Sequence, residues 1–312
     1  MPDILTITMN PALDVSTSTD TVMATHKLRC TPEKFHPGGG GINVARVLHR
    51  LGSDCMALYP AGGFKGQVLK QLLDQEQVRS HCITIADETR ESFSVIETST
   101  GRDFRFVLPG PHLTSHEWQA CLDYVSKLAA PCRYIVASGS LPPGVPVDFY
   151  ARLAVLARAR GSLMVLDTSG PALAAALSAG VFMAKPSLRE LRELTGQPLD
   201  TEDDQRNAAR QLVKNGQAQM VALSLGADGA LLLTAKQTLR ALSLPVQVVS
   251  SIGAGDSFLA GLLWALNLDK GLEQSFRYGM AAGAGALLSA GTALCQAADV
   301  ERLHNEVIVT AV

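Results

Sequence analysis

The sequence lacks the cysteine and histidine patterns of a zinc-bound or disulfide-linked protein. Its six cysteines include no C-x-x-C pair, and its seven histidines do not combine with them into a zinc-site pattern. His112 and His116 are four residues apart, but Glu117 follows the second histidine, so the H-E-x-x-H motif is not formed. We therefore predict no zinc site, and we expect reduced thiols, which are typical of cytoplasmic proteins.

An excess of charge and long apolar runs are also missing. Lysine and arginine together number 27 against 29 for aspartate and glutamate, a net charge of −2 that argues against a nucleic-acid partner. No apolar run approaches the ~18 residues that span a bilayer, and the start MPDILTITMNP lacks the basic segment of a secretory signal. We expect a cytoplasmic protein with neither a membrane nor a nucleic-acid partner.

The sequence does contain a regular alternation of strand and helix patterns. With 47% hydrophobic residues over 312 positions and no break in composition, residues 1–312 are expected to form a single domain. Apolar runs that end in small polar residues alternate with helical stretches, which predicts an α/β fold with a parallel sheet and helices on both faces. The predicted strands are 4–10, 55–62, 133–140, 163–170, 181–187 and 220–226, and the predicted helices are 42–52, 64–76, 147–161 and 201–216.

Two segments, about 15–35 and 86–108, do not follow this alternation. The second has two runs of alternating residues around a turn at 99–101, which predicts a β-hairpin. A sheet this small cannot form a core of its own. We therefore expect the two segments to form a lid over a ligand cleft, and we expect a homodimer in which two lids pack together.

The stretch 250–266, SSIGAGDSFLAGLLWAL, carries the strongest chemical signal. The N–H groups of Gly253, Ala254 and Gly255 can point outward at a helix N-terminus, where the dipole favours an anion. Asp256 could accept a proton from a hydroxyl while these N–H groups hold a phosphoryl group. An ordinary glycine turn with an aspartate cap is the alternative. Neither the G-K-[ST] of a Walker loop nor the third glycine of a dinucleotide fingerprint is present.

Two glycine-rich stretches together resemble the signature motifs of the ribokinase-like sugar kinases. GGGGINVARVLHRLG (38–52) resembles the N-terminal signature and SIGAGDSFLAGLL (251–263) the C-terminal one, with SGSLPPG and SLGADGA between them. The resemblance covers nearly the whole chain. It implies a three-layer α/β/α sandwich with a mainly parallel central sheet and a small β-sheet lid.

Within this family, TMNPALD (8–14) is typical of the phosphosugar kinases. The glycine run 38–41 has no lysine inside it, and in this respect it resembles the minor type of 6-phosphofructokinase. The resemblance implies phosphorylation of fructose 6-phosphate at the 1-hydroxyl, with ATP and Mg²⁺ as cofactors and with the sugar phosphate and ATP as the small-molecule substrates. Tagatose-6-phosphate kinase and 1-phosphofructokinase stay open as alternatives.

The resemblance also implies roles for individual residues at the sugar. Asp256 would be the base for the 1-hydroxyl, and the 253–255 loop would hold the transferring phosphoryl group. The expected contacts with the sugar are Asp14, Gly39, Gly40, Asn43 and Ser138. The expected cations near the phosphates are Arg90, Arg105 and Lys27, for which a solvated surface charge is the alternative.

On the nucleotide side, the resemblance implies ATP contacts at Lys185, Ser187, Ser224, Gly226, Gly229, Met280 and Ala284. For the last two, tight helix packing is an equal alternative. Glu190 would act on Mg²⁺ through water, and Ser187 stands where the family often has asparagine. Potassium could be bound by the carbonyl groups of Ser250, Ile252, Ala286, Ser289 and Gly291, although Ser289 and Ala293 replace residues expected to be larger and more polar.

Two other classes of protein function remain as alternatives. A non-catalytic sugar-phosphate sensor could keep the same fold, but Asp256 is intact within its loop. An NAD-dependent dehydrogenase would need a glycine fingerprint after the first strand, and this sequence has none there.

Overall fold

A ten-stranded sheet runs through the middle of the computed structural model, which describes residues 2–312. Numbered along the chain, its strands are β1 Ile4–Ile7, β4 Cys55–Ala61, β5 Ser80–Thr84, β8 Tyr134–Ser138, β9 Leu163–Asp167, β10 Val181–Ala184, β11 Ala218–Ser224, β12 Ala230–Thr234, β13 Thr238–Ala241 and β14 Val309–Ala311. Their order across the sheet is β14-β13-β12-β11-β10-β9-β8-β1-β4-β5. From β5 to β11 every neighbouring pair is parallel, and β12, β13 and β14 extend the sheet in antiparallel fashion.

Ten helices within residues 2–312 cover this sheet. They are α1 Gly40–Arg50, α2 Gly63–Gln75, α3 Ser115–Ser126, α4 Phe149–Ala159, α5 Gly170–Ala179, α6 Leu188–Thr195, α7 Glu202–Lys214, α8 Ala254–Asn267, α9 Leu272–Leu287 and α10 Ala297–Leu303. Helices α3 to α7 pack on one face and α1, α2, α8, α9 and α10 on the other. Each face has its own large buried apolar cluster, and α2 packs with α1 and β4 in a smaller one. Successive residues of β1 show the division, since Ile4 belongs to one cluster and Leu5 to the other. The predicted three-layer α/β/α sandwich is confirmed.

A second sheet of four strands, called here the small sheet, stands apart from the central one. Its strands are β2 Ala12–Thr19, β3 Lys34–Gly38, β6 Arg90–Glu97 and β7 Arg102–Val107, in the order β3-β2-β6-β7. The predicted hairpin is present as the antiparallel pair of β6 and β7. The structure differs from the prediction for the segment 15–35. Strand β2 already begins at residue 12, and residues 20–33 form turns and irregular backbone. Four short chain segments connect the small sheet with the central layer, at 8–11, 39, 85–89 and 108–114.

All six strands and four helices predicted from the sequence are present, with ends that differ by a few residues. The carboxyl ends of β1, β8, β9 and β10 meet the first turns of α1 and α8 at one edge of the sheet. In open parallel sheets this edge is where ligands bind. None of the helices within residues 2–312 has the length and hydropathy to cross a membrane.

Candidate active site

A cavity of about 280 Å³ lies between the carboxyl ends of the central strands and the small sheet. Its wall combines the ends of β8 and β9, the first turns of α1 and α8, and one face of the small sheet. Many of the residues predicted from the sequence line it, namely Asp14, Gly39, Gly40, Asn43, Arg90, Arg105, Ser138, Glu190, Ile252, Gly253 and Asp256. The structure therefore brings together the predicted base, the predicted sugar contacts and two of the predicted cations.

Asp256 lies in the first turn of α8 with its carboxylate on the cavity wall. Its Oδ2 accepts a hydrogen bond of 2.9 Å from the side-chain amide of Asn43 on α1. Burial raises the pKa of Asp256 to about 6, and the negative charge of Asp167 acts in the same direction. The Asn43 hydrogen bond and the positive charge of Lys185 limit the rise. A carboxylate with this pKa is ionised at neutral pH and is a stronger base than an exposed aspartate.

The start of α8 offers backbone N–H groups beside this carboxylate. The first bond within the helix is donated by Ser257 to the carbonyl of Gly253, so the N–H groups just before Ser257 have no partner inside the helix. The N–H of Ala254 faces the carbonyl of Ser251 at 3.4 Å. Gly253 has φ 74°, and a Cβ there would lie 2.3 Å from Leu294 Cδ2, so the turn requires glycine. The glycine turn at the start of α8 is therefore present, although the N–H of Ala254 is directed at Ser251, and its role in binding an anion stays a prediction.

A buried ion pair lies next to Asp256. Lys185 Nζ is 3.1 Å from Asp167 Oδ1, and Ser138 Oγ donates to the other carboxylate oxygen of Asp167 at 3.3 Å. Burial acts to lower the pKa of Lys185, but the Asp167 carboxylate outweighs it and the pKa is raised. From the sequence, Asp167 could be placed near the polar carboxyl end of the predicted strand 163–170, but no role could be assigned to it. The pairing depends on β9 and β10 being neighbours, which the sequence alone does not state.

Asp14 faces the same cavity from the small sheet. It stands on β2 between His36 on β3 and Ser92 on β6. Burial raises the pKa of Asp14 to about 6, although the nearby positive charges of Arg105 and Arg90 oppose the rise. A carboxylate at this place can accept hydrogen bonds from sugar hydroxyls.

Arg90 and Arg105 supply positive charge at the small-sheet end of the cavity. Arg90 donates from Nη1 to the carbonyl of Leu108 at 2.9 Å and from Nη2 to the carbonyl of Asn10 at 3.0 Å. It thereby connects two of the chain segments that join the small sheet to the central layer, 8–11 and 108–114. Its Nε is buried and has no hydrogen-bond partner among residues 2–312. Arg105 is exposed on β7.

The structure explains why glycines follow one another at 38–41. A Cβ on Gly38 would lie 2.3 Å from Asp14 Oδ2, and a Cβ on Gly40 would lie 2.2 Å from Ser138 Oγ. Gly39 has φ 109°, a conformation that favours glycine. The family resemblance implies that Gly39 and Gly40 contact the sugar, and the structure adds a second reason for the run, because side chains of the protein already occupy the space that a Cβ on Gly38 or Gly40 would need. Glycine is needed so that Asp14 and Ser138 can stand against the start of α1.

The remaining predicted residues lie outside the wall of this cavity. Lys27 is exposed in the irregular segment 20–33, so the structure does not bring it to Arg90 and Arg105. Ser187 caps α6 in a reciprocal pair with Glu190, whose carboxylate accepts the Ser187 N–H at 2.8 Å. The serine hydroxyl therefore has a structural use at the position where the family often has asparagine.

Two loops and one helix hold the other predicted nucleotide contacts. Ser224 ends β11, and Gly226 follows it at an exposed turn with φ 62°. A Cβ on Gly229 would lie 2.1 Å from the carbonyl oxygen of Ala241, so the close approach of β13 already explains this glycine. Met280 and Ala284 on α9 are buried in the apolar cluster with α8, as the packing alternative predicted.

The predicted potassium-binding carbonyls come from two segments that the fold places side by side. The N–H groups of Val249 and Ser250 both point to the carbonyl of Leu287, at 2.8 and 3.4 Å. Of the five predicted residues, four are largely or fully buried in this region, namely Ser250, Ile252, Ala286 and Gly291, and Ser289 is partly exposed. The carbonyl of Ala286 already accepts the Ser289 N–H at 3.1 Å.

Carboxylates suited to magnesium are few at the cavity. Asp167 and Glu190 line it, and within residues 2–312 no group of three acidic, histidine or cysteine side chains could hold a metal ion alone. This donor set fits Mg²⁺ that is held mainly by nucleotide phosphate oxygens and water, with one or two carboxylates nearby.

Comparisons with known proteins agree with this geometry. The ATP-dependent 6-phosphofructokinase isozyme 2 of Mycobacterium tuberculosis is 49% identical over 304 residues, which cover 97% of this chain and 89% of the relative. Crystal structures of phosphofructokinase-2 from Escherichia coli in complex with potassium and in complex with fructose-6-phosphate have TM-scores of 0.93 and 0.92 at 38% and 37% identity. Each covers 98% of this chain and 99% of its own. Residues 8–299 match the model of the pfkB family of carbohydrate kinases, and the chain belongs to this ribokinase-like family.

Proposed function

We propose that this protein transfers the γ-phosphoryl group of ATP to the 1-hydroxyl of fructose 6-phosphate. The observation that carries the proposal is one cavity with Asp256 and the α8 N-terminus at one side and two arginines at the other. A sugar with a phosphate at one end and a reacting hydroxyl at the other suits this arrangement. The relatives named above as 6-phosphofructokinases, and the E. coli complex with fructose-6-phosphate, support the same substrate.

In the proposed reaction, Asp256 removes the proton from the 1-hydroxyl as its oxygen bonds to the γ-phosphorus. The bond from that phosphorus to the bridging oxygen of ADP breaks, and the proton stays on the Asp256 carboxylate until it leaves to solvent. The free N–H groups at the start of α8 stabilise the charge on the phosphoryl oxygens. Lys185, paired with Asp167, places a fixed positive charge next to Asp256. Mg²⁺, when bound, would neutralise charge on the nucleotide phosphates, and Glu190 would act on it through water.

Asp14 and Asn43 would orient the sugar between these two ends, together with the backbone at Gly39 and Gly40. Ser138 would contact a hydroxyl from the end of β8. Arg90 and Arg105 would bind the 6-phosphate, and Lys27 would reach it only if the segment 20–33 moves. The ATP contacts proposed at Lys185, Ser187, Ser224, Gly226 and Gly229 lie beyond the cavity along the same sheet edge.

We further propose that the small sheet acts as a lid and that two copies of it form a homodimer interface. One face of the small sheet lines the cavity through Asp14 and Ser92, and the opposite face carries the row Phe35, Phe93 and Phe106. These rings are 42%, 40% and 57% exposed. An apolar row of this size on a small sheet needs cover, and a second copy of the same row would supply it. A monomer in sedimentation at micromolar concentration would contradict this proposal.

Two further points belong to the proposal. Potassium would bind the carbonyl groups beside the 250–252 segment, and replacing potassium by sodium in the assay would test it. The protein would work in the cytoplasm, where its six free cysteines would stay reduced.

The deciding experiment compares kcat/KM for fructose 6-phosphate, tagatose 6-phosphate and fructose 1-phosphate with ATP. We expect fructose 6-phosphate to have the highest value. A preference of about tenfold for fructose 1-phosphate, equal to 1.4 kcal/mol in transition-state binding, would favour 1-phosphofructokinase instead. No turnover with any of the three, in a protein that binds sugar phosphate, would indicate the sensor.

A further inference from the structure

Arg46 on α1 is completely buried, with 0% of its surface exposed. A buried guanidinium costs free energy unless its N–H groups find acceptors. Its Nε and Nη2 donate to the carboxylate of Glu76 at distances from 2.6 to 3.0 Å. This ion pair compensates the charge, and it leaves Nη1 to point the other way, toward the active-site side of the helix.

Three groups around the cavity meet at this Nη1. It lies 3.0 Å from the carbonyl of Pro37, 3.0 Å from the carbonyl of Thr292 and 3.4 Å from Oδ1 of Asn43. Pro37 precedes the glycine run, and Thr292 lines the cavity from a turn 246 residues further along the chain than Arg46. One guanidinium therefore links two residues of the cavity wall, Asn43 and Thr292, to Pro37 on β3, without lining the cavity itself.

The contact with Asn43 determines which way its amide faces. The Arg46 guanidinium can only donate hydrogen bonds, and an ionised Asp256 can only accept them. The amide of Asn43 satisfies both when Oδ1 faces Arg46 and Nδ2 faces Asp256, as it does here at 3.4 and 2.9 Å. Without Arg46 the amide could rotate by half a turn, which would place its oxygen against the carboxylate of the base.

We propose that Arg46 is a positioning residue for phosphoryl transfer, because it orients the Asn43 amide that holds Asp256 and anchors the backbone of Pro37 and Thr292. The proposal rests on the proposed function, in which Asp256 is the base. It assigns a role in the reaction to a side chain that touches neither sugar nor nucleotide. Lysine could keep the ion pair with Glu76, but its single ammonium group cannot reach both Glu76 and the three acceptors at Nη1.

Arg50, one turn further along α1, provides a matched control. It also pairs with Glu76, at 3.2 Å, and it also donates to carbonyl groups, those of Ala293 and Cys295 at 2.6 and 3.1 Å. Within residues 2–312 it makes no hydrogen bond to Asn43, Pro37 or Thr292. Substitution of Arg50 therefore weakens the same ion-pair network without disturbing the Asn43 amide.

The test measures kcat and both KM values for Arg46→Lys, Arg50→Lys, Asn43→Ala and the double variant Arg46→Lys/Asn43→Ala. We expect Arg46→Lys to lower kcat by about tenfold or more, with the ATP KM within about twofold of wild type. Arg50→Lys should lower Tm to a similar degree and leave kcat within about twofold. In the Asn43→Ala background, Arg46→Lys should cost less than about twofold in kcat, because the residue through which it acts is already gone.

Losses that multiply in the double variant would overturn the proposal, as would equal kcat values for Arg46→Lys and Arg50→Lys. If Arg46→Lys does not fold, Glu76→Gln carries the same test, since Glu76 holds the guanidinium from the other side and is partly exposed. An unchanged kcat in Glu76→Gln would then overturn it. If wild type does not use fructose 6-phosphate, the proposed function fails by itself, and the same variants are measured with whichever sugar phosphate wild type does use.

Discussion

Lys185 and Asp167 form an ion pair of 3.1 Å at the ends of neighbouring strands, with both side chains almost entirely removed from solvent. The pair adjoins Asp256, and its two charges shift the pKa of that carboxyl in opposite directions. The negative charge of Asp167 raises it and the positive charge of Lys185 lowers it. Burial is the largest cause and, together with these charges, it raises the pKa of Asp256 to about 6, so this carboxylate is ionised at neutral pH.

The first prediction concerns this balance. Wild-type kcat should fall as pH drops through about 6, because the base becomes protonated. In Lys185→Met, Asp256 loses the cation that stabilises its charge, so the fall should begin at higher pH. A pH profile of kcat from 5 to 8 checks both expectations, with Lys185→Arg as the control that keeps the charge. A profile for Lys185→Met that overlies wild type would show that the two charges are not coupled.

The second prediction is that Asp256→Asn gains stability while it loses activity. A rise in pKa from 3.8 in the unfolded chain to about 6 in the fold means that ionised Asp256 costs about 3 kcal/mol at pH 7. This cost shrinks as pH falls through 6 and vanishes below 3.8, where both states are protonated. Asparagine avoids it and keeps the shape of the side chain.

We therefore expect Asp256→Asn to raise Tm by about 5 °C or more at pH 7.5 and by much less near pH 4.5, while kcat falls by at least about a hundredfold. Thermal unfolding at the two pH values and steady-state kinetics measure this. Asp200→Asn, at an exposed position, serves as the control and should change neither quantity. A gain in Tm that is equal at both pH values would mean that ionisation is not its cause.

Much of the fold could be predicted because its signals are local. The β-branched run of β1 and the alternating residues of the 90–107 hairpin each indicate their own structure, and the glycine turn before Asp256 indicates a helix start. The pairing of β2 with β3 was not foreseen, because the 14 residues between Asp20 and Glu33 carry no periodic pattern. The Lys185–Asp167 pair was missed for a different reason, since it depends on the order of strands in the sheet.

In the candidate site too, residues within local motifs could be predicted, and contacts between distant parts of the chain could not. Motif resemblance located Asp256 and Asn43. Nothing in the sequence around Arg46 shows that its side chain is buried and bonded to Glu76 and Thr292, which lie 30 and 246 residues further along the chain. Such contacts appear only once the chain is folded. The glycine run is a related case. Its pattern indicates that some group lies close to the backbone, but it does not indicate that the group is a side chain of the protein itself.

The third prediction separates the two arginines of the cavity. Arg90→Met and Arg105→Met should both raise the KM for fructose 6-phosphate by about tenfold or more, because each removes a cation from the expected phosphate site. Only Arg90→Met should also destabilise the fold, by about 1–3 kcal/mol, since it leaves the carbonyls of Asn10 and Leu108 without their donor.

Kinetics and denaturant unfolding measure the two effects separately. Arg102→Met is the control, because Arg102 is exposed on the same strand as Arg105 and lies outside the cavity. An unchanged sugar KM in both cavity variants would mean that the 6-phosphate binds elsewhere.

The last prediction uses the glycine run to separate sugar binding from folding. A Cβ at Gly38 would collide with the carboxylate of Asp14, with 2.3 Å to Oδ2 and 2.4 Å to Oδ1, while the backbone there needs no left-handed conformation. Gly38→Ala should therefore displace the Asp14 carboxylate, raise the KM for the sugar phosphate by about tenfold and leave the ATP KM within about twofold. Gly39→Ala should instead lower Tm, because φ is 109° and the new methyl group would lie 2.6 Å from Thr8 Cγ2. Equal increases in both KM values for Gly38→Ala would show that Asp14 does not act on the sugar alone. Equal losses of Tm in the two variants would show that the whole run serves folding, and that its link to the substrate is indirect.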